Sequence, residues 1–129
     1  MPLPHYQFPP KKVILWRCNY KETRIGEFEY LKDAIRKGAR LILIDLHKIK
    51  GIKPDIWLSI KPGTDLFLAI SMIRLIIERE LYDKEFVEKW TVGFKELKEY
   101  VKDHSLDLAE KITWISKDLI KEAAIRYAP

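Results

Sequence analysis

Two short apolar runs rich in β-branched residues, Val13-Ile14-Leu15-Trp16 and Leu41-Ile42-Leu43-Ile44, flank a helix-forming stretch. That arrangement constrains the fold more than any other feature of the chain. Residues 27–37 place Phe28, Leu31, Ala34 and Ile35 on one helical face, and Gly38 follows where a helix C-terminus needs a left-handed residue. Continuous apolar strands without alternation read as parallel strands covered on both faces. A strand, a helix and a second strand within residues 13–45 make a βαβ unit with a right-handed crossover.

The rest of the chain extends this pattern. Residues 1–12 hold four of the seven prolines and little periodicity, which predicts an extended arm. After a basic, irregular stretch over residues 48–54, Ile56-Trp57-Leu58-Ser59-Ile60 reads as a third strand. Lys61-Pro62-Gly63-Thr64-Asp65 turns into a helix running to about Glu80, apolar nearly all round and expected to lie buried against the sheet. Beyond it every segment reads as helix: residues 84–90 capped by Asp83, residues 94–103, residues 106–112 capped by Ser105, and residues 117–128 capped by Ser116. The expected fold is α/β, a small three-stranded parallel Rossmann-like sheet with flanking helices and a helical C-terminal half. The expected organisation is an arm (1–12) and one α/β domain (13–129), divided into a nucleotide-binding-like part (13–82) and a helical part (83–129).

Composition narrows the function classes. With 24 Lys/Arg against 19 Asp/Glu the net charge is +5, and the excess is uneven. Residues 1–63 carry 13 basic and 6 acidic side chains, a net of +7, whereas residues 64–129 carry 11 and 13, a net of −2. The basic half favours a phosphate-bearing partner or is simply a solvated lysine-rich surface. Cys18 is the single cysteine, which excludes an internal disulfide framework and any iron–sulfur cluster or Cys-rich zinc site built from this chain alone. Met1-Pro2-Leu3-Pro4 lacks the basic and apolar regions of a signal peptide, and the apolar stretch 66–77 is broken by Ser71 and Arg74. That stretch is also shorter than the roughly 20 residues of a bilayer span, so a soluble cytoplasmic protein is expected. One Asn and one Gln beside abundant Lys, Glu and Ile resemble proteins from hot habitats.

Catalytic signals are close to absent. His5, His47 and His104 fall in no metal-ligand spacing, Cys18 has no evident His partner, and neither a Gly-x-Ser-x-Gly elbow nor a Walker loop occurs. No catalytic residue and no metal ligand are assigned. Binding signals are better placed, because ligands of open α/β sheets sit beyond the carboxyl ends of the strands. Arg17-Cys18-Asn19-Tyr20 and Asp45-Leu46-His47-Lys48 follow the first two strands. Asp45 reads equally as a ribose ligand or as a carboxylate that ends a strand. Gly63, Thr64 and Asp65 open a helix whose free N–H groups favour anions, or they merely cap it.

Lys37-Gly-Ala-Arg-Leu-Ile-Leu-Ile-Asp45, Asp55-Ile-Trp-Leu-Ser-Ile-Lys-Pro-Gly-Thr-Asp65 and Leu81-Tyr-Asp-Lys-Glu-Phe-Val-Glu-Lys-Trp-Thr-Val-Gly-Phe94 resemble the molybdopterin oxidoreductases of the DMSO reductase type. Ile120-Lys-Glu-Ala-Ala-Ile-Arg-Tyr-Ala128 adds to the likeness, which runs from about Lys12 to Ala128 with the motifs in the family's order. The family's catalytic subunits are several times longer. The resemblance therefore implies a fragment or reduced relative, corresponding to part of an α/β domain that holds a guanosine arm of molybdopterin guanine dinucleotide.

Residue by residue, the resemblance implies four cofactor-binding positions. Trp16-Arg17-Cys18-Asn19 matches a family Trp-Gly-x-Asn loop that touches the cofactor's phosphates; Asn19 fits, and Arg17 stands where the family has glycine. That change either blocks close approach or offers a guanidinium. Asp45 matches the ribose-contacting aspartate, although the usual Asp-Pro-Arg is here Asp45-Leu46-His47. Gly63 and Asp65 match Pro-Gly-Thr-Asp, whose aspartate grips the guanine edge. By the same resemblance the molybdenum ligand, the cluster cysteines and the C-terminal cofactor domain have no counterpart, so no metal or iron–sulfur cluster is assigned to this chain. Complementary oxidoreductase subunits or self-association are the expected partners; a membrane is not expected, and nucleic acid is disfavoured because no aromatic–basic platform motif is present. The reading is a partial molybdopterin oxidoreductase, inactive alone. A stand-alone non-catalytic nucleotide-binding or interaction module is the alternative.

Overall fold

The computed structural model describes residues 10–128, which divide into two compact units between Ser59 and Ile60. Most of the expected arm, residues 1–9, lies outside the described residues, and Lys12 already belongs to a strand.

The first unit contains β1 (Lys12–Trp16), α1 (Tyr20–Thr23), α2 (Ile25–Arg36), β2 (Arg40–Ile44) and β3 (Ile56–Leu58). The strands form a parallel sheet in the order β1-β2-β3, with Trp16 opposite Ile44 and Ile44 opposite Leu58. The α/β class and the three parallel strands thus agree with the sequence reading. Leu15, Leu41 and Leu43 face Phe28 and Leu31 of α2 together with Ile49, and Val13, Ile35, Ile52 and Trp57 pack around this core. Ile42, Ile44, Ile56 and Leu58 are buried as well, as the unalternating strands require. Gly38 closes α2 at φ 99°, donating to the Ile35 carbonyl at 2.9 Å while Ala39 N–H reaches the Ala34 carbonyl at 3.0 Å. Asp55 fixes the start of β2, accepting from Leu41 N–H at 2.8 Å and from the Arg40 guanidinium at 2.7 Å.

Two expectations change here. The strand read over residues 56–60 ends at Leu58, because β2 itself ends at Ile44 and the last ladder contact is Asp45 N–H to the Leu58 carbonyl at 3.2 Å. The short α1 was not foreseen; four residues carry no periodicity to read.

The second unit is helical: α3 (Asp65–Glu78), α4 (Lys84–Trp90), α5 (Phe94–Tyr100), a 3-10 turn (Val101–Asp103), α6 (Leu106–Thr113) and α7 (Lys117–Tyr127). Within this unit α3 packs on α6, α7 and the 3-10 turn. Ile70, Ile77 and Val101 form a cluster with Ile73 and Phe94 against it. The polar residues inside are satisfied locally: Ser71 donates to the Phe67 and Leu68 carbonyls at 2.8 and 2.9 Å, and Thr113 donates to Ala109 at 2.7 Å. Asp83, Ser105 and Ser116 cap α4, α6 and α7 as expected, each accepting from a backbone N–H three residues on. The helix expected over residues 94–103 tightens into the 3-10 turn after Tyr100. Thr64 is the one correction to the capping scheme among these helices. Its hydroxyl makes no cap contact and instead donates to the Lys61 carbonyl at 2.7 Å, closing the turn before α3. Among the described residues no helix is long and apolar enough to cross a membrane.

Candidate functional site

Because β1 and β2 are parallel and in register, the chain leaves both at the same end of the sheet. The two exits border one cleft of about 450 Å³, lined by Asn19, Lys21, Asp45, His47, Lys48 and Lys50 among others. That volume falls within the roughly 300–1,000 Å³ of small-molecule sites. Two of the four residues singled out in the sequence, Asn19 and Asp45, therefore line one cleft within the first unit.

Arg17 sets the path out of β1. It adopts φ 48°, the left-handed region, and its N–H donates to the Ile44 carbonyl at 2.9 Å. Arg17 thus stands at a position where the backbone itself favours glycine. Two residues on, the Asn19 carbonyl accepts from Glu22 N–H, Thr23 N–H and the Thr23 hydroxyl at 3.1, 3.0 and 2.8 Å, which starts α1. The Asn19 side-chain Oδ1 is buried and has no hydrogen-bond partner among the described residues. An unpaired buried acceptor costs about 1–3 kcal/mol.

Asp45 follows β2 and turns the chain. Its Oδ1 accepts from His47 N–H at 3.0 Å, and its carbonyl accepts from the Trp57 indole N–H at 2.9 Å. Oδ2 has no hydrogen-bond partner among the described residues. The Lys48 ammonium lies 4.5 Å from the Trp57 ring centroid. The lining thus sets Lys21, Lys48 and Lys50 against Glu22 and Asp45, a mixture that suits a ligand with both hydroxyls and anionic oxygens. Lys21 and Lys50 were not singled out in the sequence; their convergence depends on the loop path, and the basic stretch over residues 48–54 was the available signal for Lys50.

Gly63 and Asp65 belong to the second unit. Gly63 adopts φ 82°, and a Cβ built there meets nothing within 4 Å, so the turn conformation demands glycine and close packing does not. Asp65 is the first residue of α3, where a carboxylate suits the positive helix end. Among the described residues no group of three or more His, Cys, Asp or Glu side chains is placed to hold a metal ion.

No family model matches the chain. It is 44% identical over 105 residues to the acetylene hydratase of Syntrophotalea acetylenica, which covers 81% of this chain and 14% of that protein. It is 32% identical over 102 residues to the thiosulfate reductase molybdopterin-containing subunit of Salmonella typhimurium, covering 78% of this chain and 14% of that one. Among solved structures, acetylene hydratase from Pelobacter acetylenicus superposes with a TM-score of 0.77 at 43% identity, over 80% of this chain and 14% of the other. The chain spans about a seventh of the length of these relatives.

Proposed function

We propose, from the premise that this chain is homologous to one segment of the molybdopterin oxidoreductases, that it forms the grip on the guanosine diphosphate arm of a molybdopterin guanine dinucleotide. The observation that carries this reading is the convergence of Asn19 and Asp45 on one cleft, with the Asn19 amide oxygen buried and unpaired. The side chains there suit the two chemically distinct parts of such an arm. Asp45 Oδ2 is an acceptor for a ribose hydroxyl, and Lys21 and Lys50 supply charge for phosphate oxygens. Asp65 is not among the residues lining that cleft; we assign it to the guanine edge from the family resemblance alone, since one carboxylate accepts from both N1–H and the exocyclic amine, a donor pair that adenine lacks. When bound, the cofactor would bring the redox chemistry of its metal centre; these residues hold and orient its nucleotide end.

The partners we propose are complementary polypeptides that supply the remainder of the oxidoreductase, so that the isolated chain is inactive. The matched stretch is only 14% of each relative's length, and α4 supports the reading from this side. It buries none of its residues, and Phe86, Trp90 and nearby Val92 are 56%, 76% and 99% exposed. The second reading, a stand-alone nucleotide-binding module, is favoured by one observation: the residues lining the cleft with Asn19 and Asp45 all belong to the first unit.

Calorimetric titration with GDP tests the cleft. Asp45→Ala, which removes the acceptor, is expected to weaken binding by about 1–3 kcal/mol. Unchanged affinity in a folded Asp45→Ala protein would remove the ribose assignment.

A further inference from the structure

We infer that Trp57 is the positioning residue of this cleft, holding the turn over residues 45–48 at both ends and so fixing how Asp45 presents its carboxylate. The inference rests on the nucleotide reading for what enters the cleft, whereas the clasp is a property of the chain alone.

Trp57 is the middle residue of β3, paired with Leu43 and partly buried against the core. From there its indole reaches under the turn that follows β2. At one end Nε1–H donates to the Asp45 carbonyl at 2.9 Å, and at the other the Lys48 ammonium sits 4.5 Å from the ring centroid. Between the two anchors His47 N–H donates to Asp45 Oδ1 at 3.0 Å.

The consequence is a division of labour between the two carboxylate oxygens. Oδ1 is occupied by the turn, and Oδ2 has no partner among the described residues. Oδ1 already carries the turn's bond, so Oδ2 is the oxygen with full acceptor capacity for a ligand hydroxyl. The same clasp draws the Lys48 charge over an aromatic face. Lys21 and Lys50 form no ion pair among the described residues and remain available to an anion.

Trp57→Phe keeps most of the ring and deletes the donor; Lys48→Met keeps the stem and deletes the cation. In the ligand-free protein, the His47 backbone amide followed by NMR is expected to shift and exchange faster in Trp57→Phe, while the amides of Leu41 and Leu43 hold their positions. Lys48→Met, at an exposed site, is expected to move the His47 amide in the same direction by less, which keeps the inference testable should Trp57→Phe fail to fold. GDP binding is expected to weaken roughly two- to tenfold in Trp57→Phe, the consequence of losing one neutral hydrogen bond. A His47 amide unchanged in both variants overturns the clasp. GDP binding absent from the wild type overturns the nucleotide reading instead, and the clasp then stands or falls on the amide.

Discussion

Arg17 donates its backbone N–H to the Ile44 carbonyl at 2.9 Å while holding a left-handed φ of 48°. The bond carries the β1–β2 ladder one residue beyond Trp16, and the φ value turns the chain toward Asn19. A left-handed conformation costs an L residue about 1–2 kcal/mol, and glycine is spared it. Arg17→Gly and Arg17→Val both lack the guanidinium, so its own contacts cancel in the comparison. Urea unfolding is expected to find the Val variant at least about 1 kcal/mol less stable than the Gly variant. Equal stability would mean that the turn does not need this conformation.

The Asp107–Lys117 pair predicts a definite pH dependence. The Lys117 ammonium donates to Asp107 Oδ1 at 2.7 Å. That hydrogen bond, aided by the lysine's charge, holds the Asp107 carboxyl below its ordinary value of 3.8. The same bond and the aspartate's charge hold Lys117 above its ordinary 10.5. The carboxylate's contribution is therefore present above pH 3.8 and is lost as the pH falls through the lower folded value. The ammonium's contribution is present below pH 10.5 and is lost as the pH rises through the higher folded value. Melting curves of the wild type and Asp107→Asn are expected to differ near neutrality and to converge at low pH. Both side chains are at least half exposed, so the difference is expected to be small and to shrink in high salt. A gap that widens on acidification would contradict this.

The uncovered face of α4 predicts association. The isolated protein is expected to show a sedimentation coefficient that rises with concentration, as Phe86, Trp90 and Val92 find one another. Trp90→Glu is expected to abolish the rise and leave the melting temperature nearly unchanged, since Trp90 is 76% exposed. A wild type that stays strictly monomeric at high concentration would count against a covered face there.

The legible parts of the fold were those governed by local rules. Leu41-Ile42-Leu43-Ile44 reads as a buried strand because nothing in it suits water, and Gly38, Asp83, Ser105 and Ser116 mark helix ends by backbone and hydrogen-bond chemistry. What escaped was decided by tertiary geometry. β3 stops at Leu58 because its neighbour stops, and Thr64 forgoes its cap because the Lys61 carbonyl lies nearer to hand. The site divides the same way. Asn19 and Asp45 follow from the rule that parallel strands present ligands at their carboxyl ends. The clasp of Trp57 on residues 45–48 spans β3 and the β2 exit, and no spacing in the sequence announces it.

The central claim, a guanine nucleotide gripped by this segment, is tested most directly by titrating wild type and Asp65→Asn with GDP and with ADP, alongside their melting temperatures. An amide at this position cannot accept from two donors together. The account predicts that wild type prefers GDP, and that Asp65→Asn loses roughly ten- to a hundredfold in GDP affinity, about 1.5–3 kcal/mol. ADP is expected to bind weakly to both, and the melting temperature to change little. Equal binding of GDP and ADP by the wild type, or an Asp65→Asn variant that melts lower with its GDP affinity intact, would contradict the account.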